Sequence, residues 1–366
     1  MEKIKVLVVD DSAFMRKLIH DFLSENPRIS VIGIARHGED AVKKVKELKP
    51  DVVTLDIEMP KLNGLEALKM IMQENPVPII MLSSTTREGA ENTVLAMQYG
   101  AIDFVQKPSG TISLDLHKVK DELVRKVILA SKANMKQVEK ASLIGKNTIP
   151  ATQNYSKIEL QNPIKHSKVS IGKWNYQKKK LICIGASTGG PRALQHVLIQ
   201  LPREFQAPIL VVQHMPPGFT KSLADRLNSL SQIHVKEAED GELLKKGTAY
   251  IAPGGYHLKV KQVGTSLAVQ LDKSPPYNGH RPSVDVMFES VSKIKDYLKI
   301  AVIMTGMGSD GAEGLIHLKS NGVVKAIAES QETSIVFGMP KSAIATRLVD
   351  EVQNVEKIAE TIMKYV

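Results

Sequence analysis

Two groups of residues in this 366-residue sequence have types and spacing suited to chemistry. In the first, Asp10 and Asp11 follow one apolar run, Asp56 ends another, and Ser83 and Lys107 follow two more. Parallel pairing of these runs would gather three carboxylates at one sheet edge, where like charges are costly unless a cation sits among them. Hard oxygen ligands with open positions suit Mg²⁺, which keeps several waters and takes up phosphate oxygens. Lys107 can meet a phosphate as a point charge, and Ser83 offers a hydroxyl, so an aspartate of this cluster could be phosphorylated. Each part alone has an ordinary reading, with Asp11 or Ser12 as a helix N-cap and Lys107-Pro108 as a loop. The combination is what is specific.

The second group starts at Gly185-Ala186-Ser187-Thr188-Gly189, between an apolar run and a helix opening on Gly190-Pro191. This fits G-x-S-x-G in its strand–turn–helix context. Ser187 would be exposed at a helix N-terminus, whose free amides and dipole could hold an oxyanion. A serine nucleophile needs a base. His214 follows a strand directly, and Asp310 follows another, within Thr-Gly-Met-Gly-Ser-Asp-Gly. Three strand-end loops can thus bring together nucleophile, base and orienting acid. Replacing side chains on such loops should leave folding intact. The order Ser, His, Asp differs from the Ser, Asp, His of α/β-hydrolases. His280, in a loop not tied to a strand, is the second candidate base. Cys183 lies inside a strand and reads as a small core residue. Gly306 to Gly311 formally matches G-x-G-x-x-G, but Asp310 would put a carboxylate inside the phosphate cradle, so a nucleotide site is the weaker reading.

The elements that must position these residues follow from periodicity. Strands at 4–9, 30–35, 51–55, 78–82 and 102–105 alternate with helices at 12–23, 39–48, 64–73, 87–99 and 114–129. That order predicts a doubly wound five-stranded parallel sheet, with ligand chemistry at the carboxyl ends of its strands. A second, Rossmann-like α/β region, with a mainly parallel sheet, starts at strand 181–185. It continues through helix 191–200, strand 208–213, helix 218–230, and strands near 233–237, 248–252 and 257–271 that include a hairpin. Helix 284–294, strand 299–304, helix 311–320 and strand 323–328 follow. The expected domains are 1–130, a basic flexible linker at 131–178, and 179–366.

The net charge of +10 is confined to one segment: residues 131–180 hold eleven lysines against Glu139 and Glu159, a net of +9. That is the signature of a solvated linker, not of a folded basic face for nucleic acid, although Leu143, Ile144 and Trp174 could dock locally. A single cysteine excludes an internal disulfide and points to a reducing compartment. No signal-peptide pattern follows Met1, and no apolar run approaches the ~20 residues that span a bilayer. A cytoplasmic location without membrane insertion is expected.

Asp10-Asp11-Ser12, Asp56-x-x-Met59-Pro60-x-x-Asn63-Gly64, Ser83 and Lys107-Pro108 resemble the two-component receiver family over residues 1 to about 125. The resemblance implies Asp56 as phosphoacceptor, with Asp10, Asp11 and the Glu58 backbone carbonyl around Mg²⁺. It also implies Ser83 as switch hydroxyl and Phe104 as an aromatic that turns inward on activation. Four adjacent hydroxyls, Ser83 to Thr86, leave Ser84 open as the alternative switch. Ile184 to Pro191, Gln213-His214-Met215, Ala252-Pro253-Gly254, Gly279 to Asp285, Gly306-Met307-Gly308-x-Asp310-Gly311 and Phe337-Gly338-Met339-Pro340 resemble the chemotaxis methylesterase family over nearly all of 180–366. That resemblance implies a Ser187–His214–Asp310 triad, an oxyanion contribution from the Met307 amide and Thr188 lining the site. It implies no cofactor for the esterase, a chemotaxis histidine kinase as phosphodonor, and methylated chemoreceptor cytoplasmic helices as substrate. It further implies glutamine deamidation and a receiver that covers the catalytic face when unphosphorylated. Ala328-Glu329-Ser330-Gln331 departs from the Gln-Asp that the family often has there, which affects local substrate contacts. The alternative is a receiver fused to a binding module such as a DNA-binding output, against which the strand-rich second region already argues.

Overall fold

The computed structural model describes residues 2–108, 116–135 and 174–366. Its first part alternates β1 (Ile4–Val9), α1 (Ala13–Ser24), β2 (Ile29–Ala35), α2 (Gly38–Leu48), β3 (Val52–Asp56), α3 (Gly64–Glu74), β4 (Ile79–Ser83), α4 (Arg87–Gln98), β5 (Asp103–Gln106) and α5 (Leu116–Ala130). The strands pair in parallel in the order β2-β1-β3-β4-β5. The central strands are buried on both faces, which is why they read as unbroken apolar runs and not as alternating ones. The order reverses between β1 and β3, the switch point where such sheets bind ligands, and there Asp10 and Asp56 emerge. Gly64 opens α3 directly over the end of β3: a Cβ there would lie 2.0 Å from the Asp56 carbonyl oxygen. Asn63 and Glu66 then close a reciprocal capping box that starts the helix.

The second part contains β6 (Lys179–Ala186), α6 (Gly190–Leu198), β7 (Ile209–Gln213), α7 (Phe219–Leu230), β8 (His234–Glu237), β9 (Thr248–Ile251), β10 (His257–Val263) and β11 (Ser266–Asp272). It continues with α8 (Val284–Ser292), β12 (Tyr297–Ile303), α9 (Ala312–Asn321), β13 (Val324–Glu329), α10 (Met339–Ala345), β14 (Glu351–Gln353) and α11 (Val355–Tyr365). Seven strands form a wholly parallel sheet in the order β14-β13-β12-β6-β7-β9-β8, and β10–β11 is a separate antiparallel hairpin. The three strands before Ser187, His214 and Asp310 are therefore neighbours at the centre: β6 lies between β7 and β12. Register completes the placement, with Ala186 opposite Gln213 and Gly185 opposite Ile303. The turns after these strands leave the sheet at one level.

The last three elements were not among those expected from periodicity. α10 has seven residues and β14 three, too few for a period to register. α11 did carry a signal, since Val355, Ile358, Ala359 and Ile362 repeat at helical spacing and are all buried. Most of the expected linker, including Leu143 and Ile144, lies outside the described residues. Its described ends are packed against the second part. Asn134 donates its amide N–H to the Ile335 carbonyl at 3.4 Å and its side-chain amide to that of Glu332 at 3.2 Å. Trp174 meets Tyr365 of α11 edge-on at 5.5 Å.

Candidate active site and phosphorylation site

At the first site Lys107 Nζ lies 2.8 Å from Asp10 Oδ2 and 2.8 Å from Asp56 Oδ1. Asp10, Asp11 and Asp56 each present an oxygen within 4.8 Å of the others. Asp10 is fixed by the Ser12 amide at 2.9 Å, and Ser12 caps α1 in turn. Burial pushes the Asp56 carboxyl up to about 6 despite the opposing pull of Lys107. Burial also works against the Lys107 ammonium, but Asp56 and Asp10 more than offset it and leave its pKa raised. Asp56 Oδ2 is buried with no hydrogen-bond partner among the described residues. An all-oxygen donor set with an orphaned, buried carboxylate oxygen fits a hard divalent cation.

Ser83 is fully buried; its hydroxyl lies 3.1 Å from the Gly89 carbonyl and 2.7 Å from Thr93 Oγ1. Ser84 instead donates to the Glu58 carboxylate at 2.8 Å. Phe104 is buried, with its ring stacked on Phe219 of α7 at 4.7 Å and 22°.

At the second site Ser187, Thr188, His214, Met307 and His280 line one cavity of about 240 Å³, and Asp103, Phe104, Arg125 and Lys126 from the first part of the chain line it too. His214 Nε2 sits 2.7 Å from Asp310 Oδ2, while Nδ1 is buried without a hydrogen-bond partner among the described residues. The ring nitrogens are thus used in the opposite sense from the chymotrypsin-type triad, where Nδ1 faces the aspartate. His280, the second candidate base, stacks flat on His214 at 4.0 Å and 6°. Burial and then the charge of His214 push it down to about 4, so it stays neutral at physiological pH. Cys183 is buried and its thiol is pushed far up by that burial, so it is no nucleophile.

The turn that carries Ser187 is braced from its neighbours. Gln213 donates to the Ser187 carbonyl at 2.9 Å, and a Cβ on Gly190 would lie 1.9 Å from Gln213 Oε1, so only glycine starts α6 here. The Ser187 amide itself donates to the Thr305 carbonyl at 3.0 Å. It is therefore not among the free amides expected to hold an oxyanion. Asp310 also departs from the expectation that its replacement leaves folding intact. It is buried, and its oxygens accept from Ser283 Oγ at 2.8 Å, the Val284 amide at 2.7 Å and the Asp285 amide at 2.9 Å. It therefore holds the first turn of α8 as well as His214. Burial opposes its ionised form, but His214 and these amides outweigh that and hold it well below the usual carboxylate range.

Glu329, the departure seen in the sequence, does not reach the cavity. It is buried behind the serine turn, where it accepts from the Thr305 amide at 2.7 Å and Thr333 Oγ1 at 2.9 Å. Thr305 passes this on, since its carbonyl takes the Ser187 amide. Burial pushes the Glu329 carboxyl up to about 7; Glu356 raises it further, while Arg192 pulls it down. Because the folded-state value is raised, the carboxyl favours folding at acid pH, and this contribution drains away as pH rises from the unfolded value of about 4.3 to about 7. The loss amounts to at most roughly 4 kcal/mol. Glu329→Gln should remove it: between pH 5 and 8 the variant's melting temperature should fall less than that of the parent. Parallel curves would show that Glu329 is already ionised at pH 5.

Residues missed by sequence reasoning lie mostly between the two parts of the chain. Thr188 Oγ1 donates to Asp103 Oδ2 at 2.5 Å. Gln98 Nε2 donates to Gln195 Oε1 at 2.9 Å, and Gln98 Oε1 accepts from Arg226 at 2.9 and 3.2 Å. No local pattern announces such pairs, which are separated by 85 to 128 positions.

Residues 182–362 match the CheB methylesterase family and residues 6–117 the response regulator receiver domain family. A receiver joined to a CheB-type catalytic domain is thus the class of protein. Over the whole length the chain is 56% identical to the protein-glutamate methylesterase/protein-glutamine glutaminase of Halalkalibacterium halodurans, covering 99% of this chain and 98% of that one. It is likewise 56% identical to the corresponding protein of Geobacillus kaustophilus, covering 100% and 99%. The crystal structure of the Thermotoga maritima CheB methylesterase catalytic domain superimposes with a TM-score of 0.50 at 49% identity, covering 51% of this chain and 99% of that one. The chain belongs to the protein-glutamate methylesterase/protein-glutamine glutaminase family. The alternative of a DNA-binding output falls with this match and with the seven-stranded parallel sheet.

Proposed function

We propose that this chain removes methyl esters from glutamate side chains of chemoreceptors and deamidates receptor glutamines, under control of phosphorylation at Asp56. In this reading residues 1–130 are the switch, 131–178 the linker and 179–366 the esterase. The observation that carries it is His214, held by Asp310 through Nε2 at 2.7 Å and presenting a buried, unpartnered Nδ1 beside the cavity that Ser187 lines. Ser187 Oγ attacks the γ-ester carbonyl carbon as Nδ1 takes its proton. The C–OCH₃ bond breaks and methanol leaves with that proton. Water then adds to the acyl-serine, with its proton passing through Nδ1 to Ser187, and glutamate is released. Asp310 keeps the proton of neutral His214 on Nε2 and stabilises the imidazolium that forms. The Met307 amide is the oxyanion donor in this scheme, beside a Thr188 freed from Asp103. A glutamine amide enters the same path and leaves as ammonia. Methanol release from methylated receptor membranes by the purified chain, supplied with phosphodonor and Mg²⁺, is the test; no release would overturn the reading.

At the switch, Asp10, Asp11 and Asp56 would hold Mg²⁺ together with the Glu58 carbonyl. The ion supplies charge neutralisation for the incoming phosphoryl oxygens. Asp56 accepts the phosphoryl group from a chemotaxis histidine kinase, Lys107 pairs with it, and Ser83 is the switch hydroxyl. The protein acts in the cytoplasm; no described helix is long and apolar enough to cross a membrane. The substrate is a receptor helix, and a helix is about 10–12 Å across. It is wider than a cavity of about 240 Å³ whose lining Asp103, Phe104 and Lys126 share, so in this reading the receiver moves aside to admit it.

Gln98→Lys tests that step. It places an ammonium against Arg226 at the seam. Like charges there should cost on the order of 1 kcal/mol, which raises the open population about fivefold. Basal methanol release without phosphodonor should rise by that factor while the phosphorylated rate stays put. An unchanged basal rate would remove the seam from control.

A further inference from the structure

Asp285 ends the run from Gly279 to Asp285 that the proposed mechanism leaves without a task. It is buried on the first turn of α8, directly behind Asp310. The two aspartates exchange helix caps. Asp310 accepts from the Val284 and Asp285 amides at the start of α8. Asp285 Oδ1 accepts from the Gly311 amide at 2.8 Å and the Gly314 amide at 2.6 Å, at the start of α9. The clasp leaves Asp285 Oδ2 as its remaining oxygen, and the two carboxyls are buried side by side, tied by the bond from the Asp285 amide to Asp310 Oδ1 at 2.9 Å. Two buried carboxylates so placed do not both ionise cheaply. The stronger acid is the one with His214 on it, so the proton belongs on Asp285.

We infer that Asp285 is a positioning residue that keeps one proton against Asp310, so that the pair carries a single negative charge behind His214 while the enzyme works. This rests on the triad reading above. The neutral carboxyl donates to Asp310 and orients it toward Nε2 of His214. Once the proton is lost, two like charges face each other, and Asp310 is driven off its line to His214. The surroundings agree. Burial, and then Asp310 itself, push the Asp285 carboxyl up to about 7, against the pull of the Gly314 and Gly311 amides. The charged or titratable groups around it are Asp310 and, beyond it, His214; Tyr277 with its partner Glu313 on α9; and Glu289 one turn along α8.

Asn in place of Asp285 mimics the protonated form: its carbonyl can still accept from Gly311 and Gly314, and its NH₂ donates where the carboxylic proton did. Ala removes both functions. The measurement is the pH profile of kcat/KM for methanol release by the full, phosphodonor-activated chain. The parent should lose activity as pH rises through about 7 to 8. Asp285→Asn should stay within about threefold of the parent at pH 6.5 and keep its activity at least one pH unit further. Asp285→Ala should lose tenfold or more in kcat with little change in KM. An Asn variant with the parent's alkaline limb, or one as impaired as Ala, would overturn the inference. An inactive parent would instead overturn the esterase reading.

Should Asp285→Asn fail to fold, carboxyl-¹³C aspartate in the full chain carries the test. Asp56→Asn removes the other aspartate that burial raises, and one aspartate should then still titrate near neutrality. All aspartates ionised by pH 5 would overturn the proposal.

Discussion

Alanine at Ser187 is expected to lower methanol release by about 10⁴-fold or more, and alanine at His214 to do nearly the same. The two should not add. Once either partner is gone, the other has no proton to take or no base to give it to, so the double variant should be scarcely worse than each single one. Asp310→Asn should cost about 10⁴-fold in turnover, because an amide can hold the imidazole in the wrong tautomer. It should also cost more stability than Ser187→Ala. Asp310 accepts four hydrogen bonds, from His214, Ser283, Val284 and Asp285, and an amide nitrogen cannot accept those on its side. About 1–3 kcal/mol is expected for buried donors left unpaired, readable as a lower melting temperature by circular dichroism. A folded Ser187→Ala chain with near-normal turnover would sink the mechanism. A normal His214→Ala with a dead His280→Ala would keep the esterase but move its base to the stacked ring.

The second large effect is at the switch. Asp56→Asn should abolish uptake of phosphate from a small-molecule phosphodonor in Mg²⁺, and with it all activation of methanol release. The basal rate should remain, because among the described residues the hydrogen bonds and ion pairs of the Asp56 side chain are to Glu58 and Lys107 of the first part. The comparison to make is ³²P labelling and methanol release on the same samples. Full labelling of the variant would place the phosphoacceptor on another carboxylate of the cluster.

Much of this was legible in the sequence because it is local. Unbroken apolar runs marked strands buried on both faces, and the chemical residues stood at the ends of those runs. Ser187, His214 and Asp310 were found as strand-end residues. What periodicity could not supply was the strand order that makes β12, β6 and β7 neighbours, since pairing is a long-range choice. The sense of the His214 ring was equally hidden, because it depends on which side of the imidazole Asp310 approaches. The dual task of Asp310 escaped for a related reason: its amide partners belong to a helix some 25 residues earlier. The seam was invisible as well. Phe104 and Phe219 are ordinary core aromatics in their own elements, and only docking puts them face to face.

One consequence follows from the two domains being parts of one chain. Tethering makes their docking intramolecular, with an effective concentration on the order of millimolar. A contact as limited as Thr188 with Asp103, Phe104 with Phe219 and Gln98 with its partners can then be weak between separate molecules and still cover the site. With a dissociation constant of about 0.1 mM and a tether worth ~1 mM, about one molecule in ten stands open at rest. A leak of that size would cap the gain of the switch: an output already one-tenth on can rise only about tenfold, however complete the phosphorylation. A stickier seam would widen the dynamic range but demand more of the phosphoryl group that must open it.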